Sequence, residues 1–299
     1  MIKNTNYEKP KVIAEIGCNH KGDFEIAKQM INIAKVYCGA NIVKFQKRTP
    51  KELLTPEEYN APHPNPRNSY GDTYGEHREF LEFTREQHKE LLDYCKELGV
   101  IYSCSVWDFT SAKEIISLNP EMIKIPSANS TNFKLLKYII DNYNGKIHLS
   151  IGMTSKKEVD SIIDFFVKNN RNKDLVIYHC TSAYPVEFKD TNLLEILFLK
   201  ENYEEIIDSI GFSGHHKGIA IDIAAYTLGA QWIERHFTLD RTWKGTDHAA
   251  SLEPDGLRKL IRDLNATYEA LKFKKVDYLD VEIPQMEKLR WDRNNIKLR

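Results

Sequence analysis

The stretch 231–251, QWIERHFTLDRTWKGTDHAAS, joins a short apolar run to a histidine and then to a charged loop containing glycine. Trp232, Ile233 and Phe237 supply the apolar side chains of a buried strand, and His236 stands at its carboxyl end. In a parallel α/β protein that end is where ligands and catalytic groups gather. A second pair, His215 and His216, follows the apolar stretch 206–212 and precedes a glycine and a helix-like segment. Imidazole is the commonest metal-ligating side chain, so histidines from two neighbouring strand ends are placed to share one ion. Glu234, Arg235, Asp240, Arg241, Lys244 and Asp247 crowd the same stretch, and charges beside a strand core require partners or a ligand.

Outward from this stretch the chain repeats one unit. Strand-like runs fall at 11–18, 41–47, 100–106, 122–126, 146–151, 175–180, 206–212 and 231–237. Between them lie segments with helical spacing at 24–37, 84–98, 108–118, 133–143, 155–168, from about 190, and at 218–228, with a closing helix at 257–271. Local signals agree: Asp23 is an N-cap candidate, Thr84 opens a helix with Glu86 and Gln87 in its first turn, and Gly99 closes it. Eight strand-then-helix units without a linker predict a closed (β/α)8 TIM barrel as a single domain at 1–275. An open doubly wound sheet fits less well, because Gly17 and Gly22 do not form a GxGxxG turn. The charged tail 276–299, with Pro284, is expected to pack across the barrel. The segment 48–83, rich in Pro, Asn, Gly and Tyr, is too long for an ordinary connection and reads as a lid, binding loop or disordered segment. Arg67, Tyr70, Tyr74, His77 and Arg78 are its candidates for covering the barrel mouth.

Bulk properties narrow the function classes. The 299 residues carry 42 basic and 43 acidic side chains, a formal charge of −1, so no global field draws nucleic acid or an anionic membrane. The five cysteines, Cys18, Cys38, Cys95, Cys104 and Cys180, lack CxxC spacing, which argues against a zinc knot or disulfide framework. The polar start and the lack of any run near the roughly 18 apolar residues needed to cross a bilayer predict a cytoplasmic protein.

With the barrel in place, the residues closing each strand face one mouth. They are Glu15, Lys44 and Gln46, Ser105, Lys124 and Ser127, Ser150, Ser182 and Tyr184, Ser213 and His215, and His236, with Asp247 on the eighth loop. Two lysines and several serines around one opening suit a phosphate or carboxylate, since lysine supplies charge and serine supplies donors. Glu15 interrupts an apolar run and therefore has either a chemical role or one of these lysines as partner. An anion pocket, two metal-binding histidines and nearby carboxylates suit an anionic carbon nucleophile and an aldehyde, with a metal as Lewis acid.

The chain resembles the sialic acid (N-acetylneuraminate) synthase family. The resemblance is carried by AEIGCNHKGD at 14–23, VKFQ at 43–46, IKIPS at 123–127, LSIGM at 149–153, HCTSAYP at 179–185, GFSGHH at 211–216, IERHFTLD from 233 and GTDHAASLEP ending at 254. It implies a transferase that condenses phosphoenolpyruvate with an aldose or N-acetylhexosamine to a 3-deoxy-2-ulosonic, sialic-acid-like acid plus phosphate. Mn2+ is the implied ion, with Mg2+ or Co2+ as alternatives, held by His215 and His236. Lys44, Ser105, Lys124, Ser127, Ser150, Ser182 and Ser213 would cradle phosphoenolpyruvate, while Gln46, Asn129, Tyr184 and Asp247 would touch the sugar. Glu15 and Asp247 are the implied catalytic carboxylates, handling the attacking or metal-bound water.

Three departures stand out. His215 is flanked by Gly214 and His216 where family members carry Asp and Thr, Asn129 stands where they carry a sugar-binding Glu, and a barrel without their C-terminal antifreeze-like domain is expected. A homodimer or a separate capping polypeptide is the expected replacement. A metal-dependent aldolase or sugar epimerase on the same barrel, and a non-catalytic sugar-binding relative, are the competing readings.

Overall fold

The computed structural model of the protein describes residues 7–291. Eight parallel strands pair in sequence order and close on themselves: β1 (Lys11–Gly17), β2 (Ile42–Lys47), β3 (Ile101–Val106), β4 (Met122–Ile125), β5 (Lys146–Ser150), β6 (Leu175–Cys180), β7 (Ser209–Gly214) and β8 (Trp232–His236). The expected TIM barrel is the observed one. Only β7 is displaced from its expected position, because 206–208 form the turn that leaves the preceding helix. The helix Arg85–Leu98 starts at Thr84, whose side chain and that of Gln87 form a reciprocal capping box, and ends at Gly99 in the left-handed region. Asp23 accepts from the Ile26 amide at 3.0 Å, as an N-cap should. The expected helix 24–37 changes pitch midway, from α over Phe24–Asn32 to π over Ile33–Tyr37.

Period-two alternation stacks the barrel interior in layers, because every second side chain of a strand points inward. At the amino-terminal end Ile13, Ile42, Met122, Val176 and Trp232 form an apolar plug with Tyr178. Two residues further along their strands stand Glu15, Lys44, Lys124 and Glu234, all buried. One apolar layer thus supports one charged layer. Register then places neighbours: Glu15 lies beside Lys44 on β2 and His236 on β8, Ser105 beside Lys124, and Ser213 beside Glu234. The larger core lies outside the sheet, where residues such as Val43, Phe45, Ile123 and Ile233 meet the helices.

The segment 48–83 is ordered into short helices at Pro50–Leu53, Pro56–Asn60 and Tyr74–Phe80, with a 3-10 turn at Pro66–Asn68. Thr55 with Glu58, and Thr73 with Glu76, cap two of them by the same reciprocal device. Beyond the closing helix Pro254–Ala270 the chain carries a short helix at Ile283–Leu289, and no residue from 272 to 291 is buried. Residues 292–299 of the expected tail lie outside the described residues. All five cysteines are free, and no described helix is long and apolar enough to cross a membrane.

Candidate active site

One cavity of about 580 Å³ opens at the carboxyl ends of the strands. Its lining includes Glu15, Lys44, Gln46, Ser105, Lys124, Ser127, Ser150, Ser182, Tyr184, Ser213, His215, His236 and Asp247, residues drawn from all eight units of the chain. Asn129 is not among them. It sits in a 3-10 turn after β4, and its amide donates to the Trp107 carbonyl at 3.0 Å, so its side chain is spent on the backbone.

The floor is a compact charged network. Lys44 pairs with Glu15 and donates to Ser105 at 2.8 Å, while Glu234 lies 3.6 Å away. Lys124 reaches Glu234 at 3.0 Å, with its ammonium 3.4 Å from the Tyr178 ring centroid, and Ser213 donates to Glu234 at 3.1 Å. Burying two ammonium groups requires such partners. Both readings of Glu15 therefore meet: it is the partner of Lys44 and it faces the cavity.

In the sequence Glu234 is only one of several charges around His236. Its inward direction follows from the two-residue spacing that also carries His236 to the cavity wall.

Burial raises Glu15 and Lys44 opposes it, yet with the Glu234 charge nearby its carboxyl is pushed up to about 8. Burial acts on Glu234 in the same sense, but Lys124 and Lys44 hold it well below the usual carboxylate range. One carboxylate of the pair thus stays ionised while the other holds a proton near neutral pH.

A stability experiment follows from that division. The folded pKa of Glu15 lies above its ordinary 4.5, so its contribution is full below about 4.5 and lost as pH rises through about 8. In metal-free protein the urea stability of wild type relative to Glu15→Gln should fall between those limits by a few kcal/mol, order of magnitude. A difference independent of pH would remove Glu15 as the proton holder.

The wall beside this floor is a cradle of small groups. Ser127 Oγ accepts from the Gly152 amide at 3.1 Å, and a Cβ on Gly152 would come within 2.3 Å of Ser182 Oγ and 2.8 Å of Ser127 Oγ. Glycine lets the Ser127 and Ser182 hydroxyls approach the same point, which suits an anion's oxygens, while its own amide is held by Ser127.

At the rim, the rings of His215 and His236 lie 5.5 Å apart. His215 Nδ1 meets the Thr181 carbonyl at 3.0 Å, which leaves its Nε2 free. His236 Nδ1 is buried without a hydrogen-bond partner, and its nearest carboxylate oxygen is Asp247 Oδ2 at 3.8 Å. Burial, and then His236, pushes His215 down to about 3; burial also lowers His236. Both rings are therefore neutral and able to ligate.

The pair fits a divalent ion. With ring nitrogens about 2.1 Å from a shared ion at a near-tetrahedral angle, two imidazole centroids fall roughly 5–5.5 Å apart. Among the described residues no cluster of three or more His, Cys, Asp or Glu forms a ready cage. An ion held by these two histidines would leave its remaining positions to water and substrate, as catalytic rather than structural sites do. His216 is fully buried on the far side of the strand, with Phe212, Asp222 and Arg235, and takes no part in the rim.

The cover segment closes the mouth from above. Tyr74, His77 and Arg78 line the cavity as expected, but Arg67 and Tyr70 do not: Arg67 is exposed, and Tyr70 packs on Phe80 and donates to the Lys244 carbonyl. His63, Asn65 and Arg48 line it in their place.

Residues 30–276 match the NeuB family. The chain belongs to the NeuB family. It is 38% identical over 278 residues to the human N-acetylneuraminate-9-phosphate synthase, a match covering 93% of this chain and 76% of that one. To the N,N'-diacetyllegionaminic acid synthase of Campylobacter jejuni it is 35% identical, covering 88% and 78%. The crystal structure of N-acetylneuraminic acid synthetase from Leptospira borgpetersenii, in complex with citrate, superposes with a TM-score of 0.78 at 28% identity, over 97% of both chains. The NeuB-family chain is thus an enzyme, a transferase that forms a carbon–carbon bond.

Proposed function

We propose that the protein condenses phosphoenolpyruvate with an aldose or N-acetylhexosamine to give a 3-deoxy-2-ulosonic acid and inorganic phosphate. One observation carries this reading: a floor of two buried lysines and a cradle of serines lie directly beneath two neutral imidazoles and Asp247, all in one cavity. The names of the relatives, synthases of N-acetylneuraminate 9-phosphate and diacetyllegionaminic acid, supply the product class.

Lys44 and Lys124 with Ser105 and Ser213 would hold one anionic end of phosphoenolpyruvate, and Ser127, Ser150 and Ser182 the other. With Glu15 protonated, the two ammonium groups outnumber the single ionised carboxylate, so the floor attracts an anion. C3 of the enol bonds to the acceptor's aldehyde carbon, whose oxygen becomes a hydroxyl. Water adds to C2, Glu15 and Asp247 manage its proton, and the C2–O bond breaks to release phosphate. Gln46 and Tyr184 would contact the sugar. A divalent ion on His215 and His236, Mn2+ before Mg2+ or Co2+, would supply Lewis acidity toward the aldehyde oxygen.

Phosphate release from phosphoenolpyruvate, assayed across aldoses, hexosamines and phosphosugars with and without Mn2+, checks the reading. Metal-dependent release with at least one acceptor is expected. Silence across the panel from folded, metal-loaded protein would overturn it, and cleavage of a keto acid without phosphate chemistry would favour an aldolase.

A further inference from the structure

The barrel interior buries two titratable side chains that the condensation does not use, His148 and Tyr178. Register sets both: His148 lies beside Lys124 across β4 and β5, and Tyr178 beside Gly211 across β6 and β7. The His148 Nδ1 and the Tyr178 hydroxyl share a hydrogen bond at 2.8 Å. The His148 ring also stands edge-to-face with Trp232, with centroids 4.6 Å apart, and Trp232 Nε1 donates to Ser209 Oγ at 2.9 Å. A Cβ at Gly211 would come within 2.5 Å of the Tyr178 ring, so glycine there lets the ring lie against β7. These neighbours fix one aromatic plane, and the Lys124 ammonium stands over it, 3.4 Å from the ring centroid.

The two lysines of the floor are held differently. Lys44 has Glu15, Ser105 and Glu234 around it. Lys124 meets one hydrogen-bond acceptor among the described residues, Glu234, and that carboxylate is shared with Lys44. An ammonium carries three N–H donors, so after Glu234 and the ring at least one is left for the cavity that Lys124 lines. Burial lowers the Lys124 ammonium from its ordinary value; Glu234 and, last, Cys180 oppose this, while Lys44 reinforces it. Burial also pushes His148 well below and Tyr178 well above their ordinary values, so both side chains are neutral. A carboxylate in the place of Tyr178 would cancel the charge an anion needs, and an aliphatic side chain would leave the ammonium desolvated. An aromatic face attracts a cation through its quadrupole and adds no net charge.

We infer that Tyr178 is a positioning residue: the face of its ring holds the buried Lys124 ammonium at the cavity floor without neutralising it, which leaves the charge to the anionic substrate. Its part in the reaction rests on the condensation reading, which makes phosphoenolpyruvate the anion that Lys124 meets. His148 and Gly211 act one step further back, by fixing the plane of the ring.

Tyr178→Phe, followed by phenylalanines carrying one, two and three ring fluorines at the same position, drains the negative face step by step at nearly constant volume. Isothermal titration with phosphoenolpyruvate should give Tyr178→Phe an affinity within about threefold of wild type, because the face is kept, and then a stepwise loss reaching about tenfold at the third fluorine. The Lys124 ammonium, followed by nitrogen-15 NMR without any ligand and assigned through Lys124→Met, should give up its proton at lower pH with each fluorine. An ammonium indifferent to fluorination would overturn the positioning role. So would the full loss of affinity already in Tyr178→Phe, which would place the effect in the hydroxyl. A graded ammonium response in a protein that binds no phosphoenolpyruvate would keep the role of Tyr178 and sink the condensation reading. Phosphoenolpyruvate bound with an affinity that ignores the fluorines would keep that reading and overturn the role of Tyr178.

Discussion

His236→Ala should lower turnover by roughly three powers of ten and abolish stoichiometric Mn2+ binding. Lewis-acid stabilisation of a developing alkoxide is worth several kcal/mol, and each 1.4 kcal/mol is about a factor of ten in rate. The His236 ring makes no hydrogen bond at Nδ1 and packs at the rim against Tyr184 and His215, outside the apolar core. Loss of the ring should therefore leave folding intact, which far-ultraviolet circular dichroism would register. His215→Ala should match it, and the double variant should be no worse than either single one, because two ligands of one ion act as a unit. Mn2+ electron paramagnetic resonance reads binding independently of activity. Full metal content with full turnover in His236→Ala would remove His236 from the site.

Much of this is legible in the sequence because the fold rests on local, periodic signals. Short apolar runs bounded by caps and helical segments specify eight units, and alternation along each strand points Lys44, Lys124 and Ser105 at one mouth. The failures have a common origin in residues whose direction is not set by a repeat. His63 and Asn65 lie between short capped helices of the cover, where no periodicity tells an inward side chain from an outward one. Arg67 and Tyr70 are candidates there by residue type alone, and both point away from the cavity. Asn129 is a candidate by resemblance alone, and the turn after β4 spends its amide on the Trp107 carbonyl. Glu234 is within reach of the sequence, since Trp232, Glu234 and His236 follow one face of one strand. The charge crowding of that stretch hides it among neighbours that alternate outward, of which Arg235 is the instructive case.

Arg235→Met should destabilise the protein by about 3–5 kcal/mol, the usual cost of stranding one member of a buried ion pair, and lower Tm by on the order of 10 °C. Arg235 is 1% exposed and points out of the barrel toward the helix Ala220–Leu228. It pairs with the fully buried Asp222 and donates to the carbonyls of His216 at 2.7 Å and Gly218 at 2.8 Å. Removing the guanidinium leaves a carboxylate and two carbonyls without their donor. Replacing Asp222 as well, in Arg235→Met/Asp222→Leu, should recover most of the loss, because an apolar pair of similar volume dispenses with the desolvated charges. Differential scanning calorimetry of the three proteins decides this, and a double variant as unstable as the single one would show that the carbonyl contacts dominate. Metal affinity need not follow stability. Arg235 lies between Glu234 and His236 along β8 while its guanidinium, on the opposite face, holds the turn that follows His215, so the residue ties the two strand ends that carry the imidazoles. The double variant should therefore stay folded and yet bind Mn2+ roughly 10–100-fold more weakly, the range seen when groups that orient metal ligands are lost. Unchanged Mn2+ affinity would confine Arg235 to the stability of the fold.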